Sequence, residues 1–350
     1  MLRADQPAGL RLGLHGFGRI GRAVLRASLG TPHRVVAVND SFPDDDNLLY
    51  LLRHDSLYGR LPVPATARSG WWDVGDASIR RSRATRLDEV DWSGTDVVID
   101  ATGASGRAEW DDAIAAGTAT IVLTRYDPEA DLGVVVGVND AAVDPARHRV
   151  IAAGTCDGNA LALVLHALRA LELRGGSVLT LHPWLGYQNV LDGPVGAAFP
   201  ADRHGDYALG RAATMSLIPK ATSVLASLSA VMPAQAEMLS AMSYRVPTPS
   251  VSSIVLMAQF GVEVPSETVN ALLAQAAAAS GEAMRYSDSA LVSADFRDSR
   301  EGVAVDGRWT DAAPPPRLTR VVAWYDNETG YAHQVMRIVS ALALQRSGLR

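Results

Sequence analysis

Cys156 is the only cysteine among 350 residues, and it stands in Thr155-Cys156-Asp157-Gly158-Asn159, directly before an apolar helical run. A helix N-terminus stabilises a thiolate, and thiolates attack carbonyls. A single cysteine at such a place suits covalent catalysis, although it could equally pack as a small buried side chain. A second reactive pattern is Gly16-Phe17-Gly18-Arg19-Ile20-Gly21, with Asp40 following 24 residues after Gly16. In a dinucleotide site the first glycine makes the tight turn. The second lets the backbone approach a pyrophosphate, and the third allows close helix-to-strand packing. The helix that follows faces the negative charge. A carboxylate at Asp40 can accept hydrogen bonds from the adenosine ribose hydroxyls and would repel the extra phosphate of NADP. NAD is therefore the expected cofactor. A plain strand-end turn is the competing role for Asp40.

These residues need elements to position them. Leu12 to His15 reads as a strand, Arg22 to Ser28 as an amphipathic helix, and valine-rich Arg34 to Val38 as a second strand. Strands follow at Asp96 to Asp100, Ala119 to Leu123, Val134 to Val138 and Val150 to Ala153, with a helix at Glu109 to Ala116. Continuous apolar strands of this kind predict a parallel sheet covered on both faces. Leu61 to Leu87, with its Trp71-Trp72 pair, breaks the rhythm and predicts a hairpin excursion at the sheet edge. Asn159 to Leu173 predicts a long helix, and Ser177 to Leu181 opens a different texture. Long strands at Glu237 to Val246, Ser250 to Val262 and Arg317 to Tyr325, with helices at Ala221 to Leu228 and Ser266 to Ala279, predict an α+β region. The fold class is thus α/β: a doubly wound, Rossmann-type NAD-binding domain plus an α+β catalytic domain with a mixed or antiparallel sheet. The expected domains are 1–155 and 156–322, with 323–350 a C-terminal helix returning to the first. Pro314 to Pro316 reads as a surface loop.

Composition excludes several classes. The chain is 48% hydrophobic and 20% charged, ordinary for a globular protein with ample core. A formal charge of −6 gives no support to nucleic-acid binding. The local run of arginines from Ile79 to Arg86 reads as a solvated face. No stretch is long and apolar enough to span a membrane. The first ten residues lack an apolar signal-like region, and one cysteine forms no internal disulfide, so a cytoplasmic protein is expected. No metal site is expected.

The motifs, taken in order, resemble the glyceraldehyde-3-phosphate dehydrogenase family. They are Leu14-His15-Gly16-Phe17-Gly18-Arg19-Ile20-Gly21-Arg22, Val38-Asn39-Asp40, His54-Asp55-Ser56-Leu57-Tyr58-Gly59, Asp100-Ala101-Thr102-Gly103 and Gly137-Val138-Asn139. Asp192-Gly193-Pro194, Tyr244-Arg245-Val246-Pro247-Thr248-Pro249 and Trp324-Tyr325-Asp326-Asn327-Glu328-Thr329-Gly330-Tyr331 complete the series. The resemblance implies an NAD-dependent oxidoreductase in which Cys156 is the nucleophile and His182 its partner. A thiolate adding to an aldehyde gives a thiohemiacetal. A histidine near neutrality can take the hemiacetal proton, and in its charged form would lower the thiol pKa. The resemblance also implies that Asn327 holds the nicotinamide carboxamide and Tyr331 flanks the ring. Pro194 accompanies Asp40 in NAD-preferring members, and Arg19, Ile20, Thr102 and Thr124 resemble further cofactor contacts. A homo-tetramer is implied as well. The loop from Pro194 through Phe199 to Tyr207 is longer than usual and leaves that packing open.

Departures from the family pattern lie around the cysteine. The family stretch reads serine, cysteine, threonine, threonine, asparagine, cysteine, against Thr155 to Ala160 here. Asp157 places a carboxylate where a threonine helps bind inorganic phosphate, and like charges in a poorly solvated site are costly. A helix-capping role for Asp157 is the alternative. Leu185 and Tyr187 replace two threonines near the substrate phosphate, and the threonine-glycine pair becomes Thr222-Ser223. Arg245, which serves anion recognition in the family, is kept. The expected substrate is a small aldehyde or activated acid with an anionic group, met by Thr155, Asp157, Tyr187, Thr222, Ser223 and Arg245. The expected function is NAD-dependent oxidation of a non-glycolytic aldehyde through an acyl-thioester, without efficient use of inorganic phosphate. The alternatives are a phosphorylating glyceraldehyde-3-phosphate dehydrogenase with a remodelled phosphate site and a catalytically weak binding or regulatory homologue.

Overall fold

The computed structural model describes residues 9–195, 207–312 and 318–347. The chain forms two compact units, Met1–Gly154 with Ala332–Arg350, and Thr155–Tyr331. Pro314 to Pro316 and the loop from 196 to 206 lie outside the described residues.

The first unit is built on a nine-stranded sheet. Its order is Leu132–Gly133, Val150–Ala152, Ile121–Leu123, Val97–Asp100, Arg11–His15, Arg34–Asn39, Ala77–Ser82, Trp71–Val74 and Ala65–Arg68. The strands from Leu132–Gly133 to Ala77–Ser82 pair in parallel, and the last two add an antiparallel hairpin at the edge. Leu12, Leu14, Val97, Val98 and Ile99 are fully buried, which explains their unbroken apolar runs. Chain order reverses between Arg11–His15 and Val97–Asp100, so the glycine turn after His15 opens at the switch point of the sheet.

Three readings of this unit change. Val134 to Val138 is not a strand. The Asn139 side chain donates to the Gly133 carbonyl and accepts from the Val135 amide, folding the segment into a turn with Gly137 at φ 92°. The arginine run is not wholly solvated either. Strand alternation turns Arg81 inward with Ile79, onto Asp45 at 2.9 Å and over the Trp72 ring at 5.1 Å. The final helix, Thr329–Arg346, supplies this unit from Ala332 onward, not from 323, because Thr319–Tyr325 is a strand of the second sheet. Ser340 Oγ lies 3.0 Å from His33 Nε2, and Arg346 donates to the Asp96 carbonyl and Thr120 hydroxyl.

The second unit has an eight-stranded mixed sheet. Its long strand Leu173–Pro183 runs parallel to Leu239–Val246 and antiparallel to Ser252–Phe260. The helix beginning at Cys156 ends at Ala167, earlier than its apolar run suggests. A short 3₁₀ turn and a left-handed Glu172 (φ 58°) then redirect the chain into the long strand. That helix is buried from Asp157 to Ala167 on every face except His166, as an all-round apolar helix must be. No helix among the described residues is long and apolar enough to cross a membrane.

Candidate active site

Cys156 is the first residue of the buried helix Cys156–Ala167. Thr155 caps it: its backbone is extended and its hydroxyl accepts from the Gly158 amide at 3.2 Å. His182 is at the end of the strand Leu173–Pro183, and its Nε2 lies 3.7 Å from Cys156 Sγ. Nδ1 lies 2.8 Å from the Pro183 carbonyl oxygen, which can only accept. In the neutral ring Nδ1 therefore carries the proton, and Nε2 presents a lone pair to the sulfur.

The surroundings of this pair favour the neutral imidazole over the charged form that would lower the thiol pKa. Burial, then the charges of Arg245 and Lys220, push His182 down to about 3. Burial and the Asp157 carboxylate push the Cys156 thiol up, against the opposing pull of backbone amides at the helix start and of Arg245. The resting pair is thus a neutral thiol beside a neutral imidazole. The physical reason is burial first, and after it that cations, not a carboxylate, exert the resolved charge effects on His182.

Asp157 is only 7% exposed. One carboxylate oxygen accepts from the Gly158 amide at 2.9 Å and the other from the Thr222 hydroxyl at 3.1 Å. Arg245 stands beside His182 in the parallel strand register and is also buried. Its Nη2 donates to the Tyr187 hydroxyl at 3.1 Å, while its buried Nε has no partner among the described residues. No carboxylate pairs with this guanidinium among the described residues. An anionic group arriving there would meet a strong, partly unsatisfied donor. Ser223 precedes the helix Val224–Ser229 and is exposed.

Three further residues belong to this constellation. Ser227 Oγ accepts from the Thr155 amide at 2.9 Å and fills the space a side chain at Gly158 would occupy. Lys220 acts on His182 through its charge. Tyr325, fully buried, is pushed well above its ordinary pKa, chiefly by burial and further by the Asp157 carboxylate. No local sequence signal marks Ser227 or Lys220. Tyr325 lay inside a quoted motif but carried no distinguishing chemistry of its own.

The first unit holds most of the residues expected to meet a dinucleotide. Gly16 has φ 91°, which only glycine adopts readily. A Cβ on Gly21 would lie 2.1 Å from the Gly16 carbonyl oxygen, so this glycine permits the close approach of helix Arg19–Ser28 to the turn. At Gly18 a Cβ would meet nothing within 4 Å, leaving the backbone open to a ligand. The Asp40 carboxylate spans the turn, accepting from the Phe17 amide at 2.6 Å and the Phe42 amide at 2.9 Å. Asn39 steadies it by bonding His15 Nδ1 and the backbone of Ala84. Arg19 is drawn to Asp55 at 3.0 Å and over Tyr58, beside half-buried Ile20. The Thr102 hydroxyl donates to Asp100 at 2.6 Å, and the Thr124 amide donates to the Asp100 carbonyl. In the second unit Asn327 is buried with its Oδ1 unpartnered among the described residues, as a group awaiting an amide donor would be. Tyr331 is buried and Pro194 exposed.

Comparison with known proteins gives this arrangement its family. Residues 10–108 match the profile described as glyceraldehyde 3-phosphate dehydrogenase, NAD binding domain, and residues 155–327 match that of the C-terminal domain. The glyceraldehyde-3-phosphate dehydrogenase of Geobacillus stearothermophilus is 35% identical over 346 residues, covering 95% of this chain and 98% of the relative. The chain belongs to the glyceraldehyde-3-phosphate dehydrogenase family. Glyceraldehyde-3-phosphate dehydrogenase 1 of Bacillus subtilis (strain 168) is 33% identical over 340 residues, with the same coverage. Glyceraldehyde-3-phosphate dehydrogenase 2 of Streptomyces arenae is 32% identical over 344 residues, again covering 95% and 98%. The protein is accordingly an NAD-dependent oxidoreductase of this family, with an NAD-binding Rossmann domain and a C-terminal catalytic domain.

Proposed function

We propose that this chain oxidises a small aldehyde carrying an anionic group, through a thiohemiacetal and then a thioester on Cys156, without efficient use of inorganic phosphate. As sulfur attacks the carbonyl, His182 Nε2 accepts the thiol proton. With its pKa held at about 3 the imidazolium is a strong acid, so it passes that proton to the thiohemiacetal oxygen and is ready again as a base. It then takes the hemiacetal hydroxyl proton, which must leave for the carbon to become an acyl group. NAD, when bound, supplies the hydride acceptor. Asp40 would hold its ribose, the Gly16 turn its pyrophosphate and Asn327 its carboxamide. Arg245 and the Tyr187 hydroxyl orient the anionic end of the substrate. By family likeness the assembly is a homo-tetramer acting in the cytoplasm.

The observation that carries the reading is the Asp157 carboxylate on the Thr222 hydroxyl. A built-in anion takes the donor that an incoming phosphate would need, and a second anion there would be repelled. A second reading is favoured by the names of the relatives and by the retained Arg245: a phosphorylating glyceraldehyde-3-phosphate dehydrogenase. The two separate in one assay. D-glyceraldehyde 3-phosphate and a panel of carboxylate-bearing aldehydes are followed by NADH absorbance while phosphate is varied at constant ionic strength. Phosphate-independent rates, abolished in Cys156→Ser, are expected. Saturable phosphate dependence with an acyl-phosphate product would restore the second reading.

A further inference from the structure

Asp157 is placed beside the nucleophile, and aldehyde oxidation gives this carboxylate no role. It is buried, adjacent to Cys156, and close enough to act electrostatically on both the thiol and the Tyr325 hydroxyl. Each oxygen is aimed by one donor, the Gly158 amide on one side and the Thr222 hydroxyl on the other. A carboxylate oxygen accepts two hydrogen bonds, so acceptor capacity remains on both. This carboxylate also raises the cost of forming the thiolate. A site that only had to make the thioester would be better served by a neutral residue there. The benefit must therefore fall in a later step, where a charged acceptor beside the sulfur is an advantage.

We infer that Asp157 is the base that activates water to hydrolyse the acyl-thioester, making the product a free carboxylic acid. The inference rests on the thioester reading above and names its acyl acceptor. A water hydrogen-bonded to the carboxylate gives Asp157 a proton as its oxygen bonds to the thioester carbon. The tetrahedral adduct collapses with cleavage of the carbon–sulfur bond, and the electron pair returns to Sγ. The proton held on Asp157 passes to the departing thiolate. Thioester and water become carboxylic acid and thiol, with no electron transfer in this half of the cycle. Thr222 is a positioning residue, since its hydroxyl sets the carboxylate's orientation. A protic, neutral acceptor is the kind that a fixed anion attracts and deprotonates, whereas an anionic acceptor is repelled.

The test uses p-nitrophenyl acetate with the full chain in phosphate-free buffer. The nitrophenolate burst reads acylation of Cys156, and the steady state reads deacylation, independently of the natural aldehyde and of NAD. Asp157→Asn keeps the size and the acceptor for Thr222. It should form its burst at least as fast as wild type, because the charge opposing the thiolate is gone. Its steady-state rate should fall about 100-fold or more, within the range for loss of a general base. Opposite movement of the two phases is an effect that mere loosening of the site would not produce. Thr222→Val, which leaves the carboxylate in place but aimed only by the Gly158 amide, should slow the steady state less and keep the burst. It stands in for Asp157→Asn if that protein fails to fold. Acetate formed in ¹⁸O-water should carry the label. A steady state unchanged in both variants would overturn the role of Asp157 and leave the thioester reading intact. A wild-type chain without a burst would overturn the thioester reading itself.

Discussion

Replacing Gly158 by alanine should destabilise the catalytic unit, although glycine-to-alanine changes inside helices usually gain about 1 kcal/mol. The reason is a close approach of two helices. A Cβ at position 158 would lie 2.4 Å from Ser227 Oγ, 2.6 Å from Ser227 Cβ and 2.9 Å from Thr155 Oγ1. The hydroxyl contact could be relieved by rotation. The Cβ contact could not, because Ser227 Cβ is fixed to the backbone of Val224–Ser229 and the residue is 2% exposed. The helices must shift, and overpacking of this kind costs about 1–3 kcal/mol. Against the propensity gain of about 1 kcal/mol, the net loss for Gly158→Ala should be about 0–2 kcal/mol. Ser227→Gly alone should cost about 1–2 kcal/mol, from glycine in a helix and the lost acceptor for the Thr155 amide. In the double variant the clash is gone, so the combined loss should fall short of the sum by about 1–2 kcal/mol. Urea midpoints and slopes for the four proteins measure this coupling. A Gly158→Ala protein more stable than wild type, or strict additivity, would refute the argument that Ser227 occupies this space.

Asp40→Ser should weaken NAD binding about 10- to 100-fold, as expected for loss of a charged acceptor from the ribose hydroxyls, and relax discrimination against NADP. Fluorescence titration with both cofactors checks this, and an unchanged ratio would remove Asp40 from cofactor choice. His182 should shape acid stability. Its folded pKa, about 3, lies below the ordinary 6.5, so at intermediate pH the unfolded chain binds the extra proton. The contribution is intact above about pH 6.5 and is lost as pH falls towards 3, at up to about 1.4 kcal/mol per pH unit. His182→Asn should flatten the pH dependence of the urea midpoint in that window; an unchanged slope would contradict the buried neutral ring.

Much of the chemistry was legible in the chain. Gly16, Gly18 and Gly21 have duties that follow from the lack of a Cβ, and Asp40 follows a strand whose alternation can be read residue by residue. Cys156 was identifiable because its helix start, marked by Thr155 and an apolar run, is a local signal. The readings that failed turned on specific side-chain contacts, local at Asn139 and distant in sequence at Arg81, that the hydropathy pattern does not show. Val134 to Val138 lost its strand to the side chain of Asn139, and Arg81 left the solvent for Asp45 and Trp72.

By itself, the sequence determined the doubly wound opening and its NAD-binding motif and singled out Cys156 as the candidate nucleophile, because these depend on residue type and short-range spacing. Only the tertiary structure decided the charge state of the Cys156–His182 pair, since His182 is reached by Arg245 and Lys220 from neighbouring strands. It also decided that Asp157 binds the Thr222 hydroxyl and that Ser227 fills the space over Gly158. Burial and electrostatics depend on distances between groups far apart along the chain, and those distances exist only once the strands and helices have packed.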